Sequence, residues 1–243
     1  VTLWLLIILV AGLLMLARPW ADYPPWRLAT LFTPSQRVQN FQYMEHLFAS
    51  RTIAAPAVKV PLAVGVTQTL PTSFVFEQQN IDTQAFITQT NTQALLVLRD
   101  GKRVYEYYAP TASVTSRHTS WSVAKTVVAS LIAIAIKEGK IQDVNDTVAT
   151  YLPQLQGTAY GQAKIIDLLR MSSGVRFNED YASRLSDISQ LFYKVFIFGQ
   201  NIDEVVGSLP QEYTPGTKFD YTSPDTHVLS MILRQVYQQN ISQ

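Results

Sequence analysis

The chain has 243 residues, of which 47% are hydrophobic and 15% are charged, and its formal net charge is +1. This is enough for one large domain or two small ones, and the composition excludes a disordered protein and argues against a nucleic-acid-binding one. The absence of cysteine excludes disulfides, thiolate metal sites and cysteine nucleophiles. His46, His118 and His227 form no recognisable ligand spacing, so we expect no metal site and no cofactor.

The first predicted element is an apolar N-terminal segment. Residues 1–17 carry no charge, and Arg18-Pro19-Trp20 follows where a membrane interface would lie. The length suits a short transmembrane anchor or a signal-peptide core, and burial in a soluble core is the alternative. We interpret residues 1–20 as an anchor or signal segment and favour an uncleaved anchor, since a small-residue cleavage site is lacking. We therefore expect export, to the periplasmic side of the inner membrane.

Residues 21–72 form a predicted connector. Prolines recur along it, which argues against long regular elements, although a short helix is plausible over 35–48. The remaining residues, 73–243, are assigned to a single domain. Its first fold signal is Asp100-Gly101 between the apolar run 94–99 and the alternating run 102–108, a pattern that predicts a β-hairpin.

Ser122 and Lys125 open the next predicted element, a helix that continues through Ile136 without another charge. Positions i and i+3 share a helical face, so the hydroxyl and the amine can meet. A helix that is apolar on every side is normally buried in a core. This arrangement suits a nucleophile with a basic partner, and a capping serine beside a solvated lysine is the alternative.

Short helical segments follow the serine helix. Gly139 is predicted to end that helix. Residues 141–153 are predicted to form an extended segment and a short helix that ends at 151–153, and further helices are predicted over 165–171 and 186–198, with a polar loop over 176–187. Strands followed by a block of helices indicate an α+β protein.

The loop from Pro215 to Asp225 is the last informative stretch. Pro215-Gly216 marks a turn, and Pro224 is expected to exclude helix at Ser223, so that the final helix begins near Asp225. Tyr221 therefore lies on a constrained loop. It is either a packed aromatic residue or a proton-transfer group.

These motifs occur in the order found in one enzyme family. They are the Asp100-Gly101 hairpin, Ser122-x-x-Lys125, the block from Gly139 to Gly174, and Pro215-Gly216 followed by Tyr221-Thr222-Ser223. Across roughly residues 70–240 the sequence resembles serine hydrolases related to class C β-lactamases and penicillin-binding proteins. Within that group it most resembles the 6-aminohexanoate-dimer hydrolase and esterase branch.

The resemblance implies a β-lactamase/transpeptidase-like α+β fold, with an antiparallel sheet packed with helices and a helical subdomain. It implies that Ser122 forms an acyl-enzyme with a small-molecule amide or ester, assisted by Lys125, while Tyr221 transfers protons to the leaving group and from water. It also implies that the Ser122 backbone N–H supplies part of an oxyanion hole. Tyr181 and Ser223 are the implied substrate-binding residues, and no nucleic-acid partner is expected.

Two departures from the family pattern shape the expected activity. Class C β-lactamases have Tyr-x-Asn where this chain has Tyr221-Thr222-Ser223, so an esterase or amidase role fits better than β-lactam hydrolysis. Family members also continue into further strands with a Lys-Thr-Gly or His-x-Gly-type motif, so we interpret the chain as a C-terminally truncated fragment that turns over little. A non-catalytic envelope protein that binds peptides or peptidoglycan on the same fold is the alternative.

Overall fold

The computed structural model describes residues 2–17 and 30–242. The chain divides into two compact units, one of residues 26–119 and one of residues 1–25 with 120–243. The domain boundaries that we predicted after residues 20 and 72 stay predictions. Arg18-Pro19-Trp20, the predicted membrane interface, lies outside the described residues.

The N-terminal apolar segment forms helix α1, Thr2–Ala17. Its large apolar side chains from Leu3 to Met15 are exposed. Over residues 2–17 and 30–242, no helix has both the length and the apolar character needed to cross a membrane. The export and the periplasmic location inferred from this segment stay predictions.

The unit of residues 26–119 carries two small sheets. Its helical elements are α2 (Arg37–Gln42), a 3₁₀ turn (Met44–His46) and α3 (Thr83–Gln89). Its strands are β1 (Ala63–Val64), β2 (Ser73–Phe76), β3 (Gln79–Asp82), β4 (Ala94–Arg99) and β5 (Lys102–Tyr108). One sheet has the order β1-β5-β4 and the other pairs β2 with β3.

The predicted hairpin at Asp100-Gly101 is confirmed. Strands β4 and β5 are antiparallel, and both turn residues have positive φ, 50° at Asp100 and 72° at Gly101. Two consecutive left-handed residues define the tight turn that matches strand twist. Strand β1 is the exception to an antiparallel sheet, because it pairs in parallel with β5.

The hairpin of β2 and β3 was not predicted. Its turn residues, Glu77 and Gln78, have φ values of 46° and 65°, although neither residue type is typical of such a turn. The Asp82 side chain then accepts the backbone N–H of Ala85 and caps α3.

The unit that holds residues 120–242 is helical. A 3₁₀ turn (Trp121–Val123) leads into α4 (Ala124–Lys137), and short helices follow: α5 (Val148–Tyr151), α6 (Ala159–Gln162), α7 (Ile165–Leu169), α8 (Asp187–Phe192) and α9 (Ile202–Gly207). A π-helical turn, Tyr193–Ile197, extends α8. The last helix, α10, spans Ser223–Tyr237.

The core of this unit lies where α10 packs against α4, α5, α7 and α9. Residues from several of these helices are fully buried, among them Ile132, Val148, Ile165, Val228 and Ile232. Asp203 on α9 accepts hydrogen bonds from two residues of α10. The His227 Nε2 lies 2.7 Å from its Oδ1, and an Arg234 guanidinium nitrogen lies 2.7 Å from its Oδ2. This ion pair and hydrogen bond join the two helices beside the apolar contacts.

The prediction that α4 is buried on every side was wrong. Ile132 and Ala135 are its buried residues, whereas Val127 and Ile134 are exposed by 59% and 45%. Within its own unit α4 is covered along the side that meets α10. The uncharged sequence after Lys125 thus correctly predicted an apolar helix. It did not indicate how many sides of that helix are covered.

Gly139 ends α4 as predicted. It has a φ of 70°, and the N–H of Lys140 donates to the carbonyl of Ala135 at 2.9 Å, which is the Schellman arrangement. The expected exclusion of helix at Ser223 was wrong. Pro224 lies in the first turn of α10, where a missing N–H removes no helical hydrogen bond.

Candidate active site

Ser122 and Lys125 meet as their spacing predicted. Ser122 lies in the 3₁₀ turn and Lys125 in the first turn of α4, and the Lys125 Nζ donates a hydrogen bond to the Ser122 Oγ at 3.0 Å. Ser122 is exposed, so a carbonyl compound can reach its hydroxyl. The start of α4 therefore presents a serine hydroxyl and an amine in direct contact.

The residue before Ser122 has an unusual backbone. Trp121 has a φ of 45°, in the left-handed region, and it lies at the first position of the 3₁₀ turn. A bulky residue in this region costs about 1–2 kcal/mol, and such residues concentrate at functional sites. The turn that holds Ser122 thus begins with a strained residue.

Tyr221 is the third predicted catalytic residue. The Lys125 Nζ lies 5.0 Å from the centroid of the Tyr221 ring, a cation–π contact. The loop before Tyr221 is fixed, because the Asp220 N–H donates to the Met171 carbonyl at 2.8 Å and the buried Thr222 donates its hydroxyl to the Asp220 carbonyl at 3.0 Å. The structure therefore brings Ser122, Lys125 and Tyr221 together.

A carboxylate that sequence reasoning missed connects the two predicted substrate-binding residues. Glu179 Oε1 accepts the Ser223 hydroxyl at 2.6 Å and the Tyr181 hydroxyl at 2.7 Å, and its Oε2 accepts the Ser223 N–H at 2.6 Å. The signal available in the sequence was an acidic residue two positions before Tyr181. Nothing in the sequence indicated that it reaches α10.

Partial burial and the hydrogen bond to Glu179 both raise the pKa of Tyr181. The phenol is therefore protonated at neutral pH and serves as the donor in its bond to Glu179. Tyr181 as a whole residue is 63% exposed, so its remaining surface is open to a ligand.

A buried polar cluster forms around Asp225, two residues after Ser223. Asp225, which is fully buried, accepts hydrogen bonds on Oδ1 from Tyr160 at 2.9 Å and from Ser173 at 2.7 Å. Its Oδ2 is buried and has no hydrogen-bond partner among the residues that the structure describes. Burial raises the pKa of the Asp225 carboxyl to about 7.

The histidines do not contribute a metal centre. In the part of the chain that the structure describes, no group of three or more histidine, aspartate or glutamate residues is placed to hold a metal ion. His227 instead bonds to Asp203, as described above for the contact between α9 and α10.

This geometry agrees with the comparisons to known proteins. The beta-lactamase family matches residues 78–243, and the chain belongs to that family. Within the family, it is 29% identical over 161 residues to the 6-aminohexanoate-dimer hydrolase of Paenarthrobacter ureafaciens, an alignment that covers 64% of this chain and 41% of that enzyme. The family that the motifs indicated is thus confirmed.

A solved structure gives the same fold. A 6-aminohexanoate-dimer hydrolase homologue from Bacillus anthracis superposes with a TM-score of 0.76 at 20% identity, over 88% of this chain and 58% of that one. The predicted β-lactamase/transpeptidase-like fold is confirmed, and the chain spans about 41–58% of the length of these hydrolase relatives.

Proposed function

We propose that the protein is a serine hydrolase that cleaves a small amide or ester through an acyl-enzyme on Ser122. The observation that carries this proposal is the 3.0 Å contact between Lys125 Nζ and Ser122 Oγ at the start of α4. A serine is a weak nucleophile on its own and needs a neighbouring base to take its proton. Membership of the beta-lactamase family supports the same chemistry.

The residues around Ser122 have distinct proposed roles. Lys125 assists removal of the Ser122 proton, and Tyr221, whose ring lies against the lysine amine, passes a proton to the leaving group and later activates water. The backbone N–H of Ser122 donates to the carbonyl oxygen as negative charge develops there, an effect worth about 10²–10³ in rate per donor in other serine hydrolases. Tyr181 and Ser223 contact the substrate.

Covalent trapping tests the nucleophile directly. The protein in its native length is incubated with a fluorophosphonate, an activated ester and a penicillin, and its intact mass is measured before and after. We expect one adduct per chain, absent in Ser122→Ala. Ser130→Ala is the matched control, because Ser130 lies on the same helix and bonds only to the Thr126 carbonyl, at 2.8 Å; this variant should be labelled like the wild type.

The result also separates the two classes of function. A Ser122-dependent adduct supports the hydrolase. The identity of the reagent that forms it also narrows the range of acyl groups that the site accepts. A folded protein that forms no adduct with any of the three reagents would refute the hydrolase proposal. The non-catalytic binding protein, with ligand binding that survives Ser122→Ala, would then be the remaining explanation.

A further inference from the structure

The loop of residues 171–174, here called the template loop, lies along the segment that leads to Tyr221. Its first carbonyl, that of Met171, accepts the Asp220 N–H at 2.8 Å, and its last carbonyl, that of Gly174, accepts the Tyr213 N–H at 2.9 Å. These backbone bonds hold the chain from Tyr213 to Asp220 alongside the template loop. The position of Tyr221 therefore depends on the position of this loop.

The template loop is strained and is held in place by buried side chains. Met171 has a φ of 53°, in the left-handed region, which costs a residue with a side chain about 1–2 kcal/mol. The next two residues are buried and donate their hydroxyls, Ser172 to the Asp167 carbonyl at 3.0 Å and Ser173 to Asp225 Oδ1 at 2.7 Å. The bond from Ser173 is the one that joins the template loop to a side chain of α10.

Tyr221 consequently lies between two attachments to the same loop. Before it, the Asp220 N–H reaches the Met171 carbonyl, and after it, the Asp225 carboxyl in the first turn of α10 accepts the Ser173 hydroxyl. A short segment that is fixed at both ends to one loop has little freedom to move its middle. The side-chain bond of Asp225 thus limits how far Tyr221 can be displaced.

We propose that Asp225 is a positioning residue whose bond to Ser173 holds Tyr221 against the Lys125 amine, which lies 5.0 Å from the centroid of the tyrosine ring. Without this bond, the first turn of α10 is released from the template loop, and Tyr221 is released with it. A displacement of about 1 Å is enough to cost about 100-fold in a step that needs a precisely placed group. This inference rests on the proposed hydrolase function and adds the residue that positions its proton-transfer group.

Ser173→Ala removes the bond and leaves the proposed catalytic side chains unchanged. The experiment compares kcat/KM of the protein in its native length for ethyl butyrate and 4-nitrophenyl butyrate. Both esters give the same acyl-enzyme, so the ratio of the two values reports on the departure of the leaving group. Ethoxide needs a proton, for which Tyr221 is the proposed donor, whereas 4-nitrophenolate is a stable anion and leaves without one. We expect Ser173→Ala to lower the ethyl ester value about 10–100-fold and to leave the 4-nitrophenyl ester within about threefold.

Ser172→Ala is the matched control. It removes a buried hydroxyl from the neighbouring position of the template loop, but that hydroxyl bonds to the Asp167 carbonyl and not to α10. Tyr160→Phe is a second control, because it removes the other donor to Asp225 Oδ1 and leaves the bond from Ser173 in place. Both controls should keep the ratio within about threefold of wild type, whatever stability they lose. An equal fall of the ratio in all three variants would overturn the inference.

Two further variants separate positioning from a general loss of structure. Asp225→Asn keeps an oxygen that can accept from Ser173 and should keep the wild-type ratio. Ser173→Ala combined with Tyr221→Phe should have the ratio of Tyr221→Phe alone, because effects that act through one group are not additive. A ratio that falls as far in Asp225→Asn as in Ser173→Ala, or additive losses in the double variant, would contradict the proposed role.

Labelling of Ser122 by a fluorophosphonate makes the test decisive. Labelling at the wild-type rate shows that the Ser173→Ala site is folded; if labelling is lost, Ser173→Cys, which has a weaker donor of similar size, must lower the ratio or the inference fails. If the wild type hydrolyses neither ester in a Ser122-dependent way, the proposed function is refuted and the inference with it. If it hydrolyses only the 4-nitrophenyl ester, or if Ser173→Ala leaves the ratio unchanged, only the inference is refuted.

Discussion

The buried carboxyl of Asp225 predicts a specific dependence of stability on pH. Its pKa is raised from 3.8 to about 7 in the folded state, because burial disfavours the ionised form. The folded protein therefore holds the proton over a range in which the unfolded chain has released it. Stability must fall as the pH rises from about 4 to about 7 and then become independent of this group.

The size of the effect follows from the same two values. A rise from 3.8 to about 7 corresponds to about 4 kcal/mol of unfolding free energy across the whole window. Of this, about 2–3 kcal/mol is lost between pH 5 and pH 7.5, since the unfolded chain is already ionised at the lower pH. Asp225→Asn removes the ionisation and keeps an oxygen that can accept from Tyr160 and Ser173.

Urea unfolding at pH 5 and pH 7.5 measures this contribution. We expect the wild type to lose more stability than Asp225→Asn over this interval, by about 2–3 kcal/mol. Asp180→Asn, in an exposed turn where Asp180 accepts the Ala182 N–H at 2.9 Å, should keep the wild-type dependence. Equal losses in wild type and Asp225→Asn would show that Asp225 is not a neutral, buried acid in the folded protein.

Other substitutions test the site and the fold. Lys125→Met should slow fluorophosphonate labelling of Ser122 at least about 100-fold, the size of a general-base contribution, and equal labelling rates would contradict the role of the amine; Lys137→Met, at the other end of α4, is the control. Gly174→Ala places a Cβ 2.1 Å from the Tyr213 carbonyl oxygen at a φ of 75° and should cost about 3 kcal/mol or more of stability, whereas Gly157→Ala, at a φ of 80° with nothing within 4 Å, should cost about 1 kcal/mol. Similar losses at both glycines would show that the contact with Tyr213 is not what requires glycine. Asp203→Ala should lose about 1–3 kcal/mol through its bonds to His227 and Arg234, and chemical unfolding that matches wild type would contradict this.

Local rules were sufficient for three features whose determining residues are close in sequence. The Asp100-Gly101 turn, the contact of Ser122 with Lys125 and the end of α4 at Gly139 each depend on residues within one turn, and all were predicted. The motif order was sufficient to identify the family, and through it the fold.

Three further features of the structure were not predicted from the sequence. The turn at Glu77-Gln78 has left-handed residues that carry no local signal, and Glu179 reaches Ser223 across 44 positions of sequence. The extent to which α4 is covered also depends on what packs against it, which an uncharged run cannot report. Tertiary contacts decide the last two cases, and single-sequence patterns do not encode them.

The bond between Glu179 and Ser223 has a consequence for local cooperativity. Helix α10 has no side-chain cap from its own N-cap residue, Thr222, and Pro224 has no N–H, so the Ser223 N–H receives its acceptor from a distant loop. A carboxylate at this end also complements the helix dipole. The first turn of α10 and the loop around Glu179 should therefore open as one unit in hydrogen exchange. The order of the helix start, and of Tyr221 just before it, depends on a loop with no regular structure of its own.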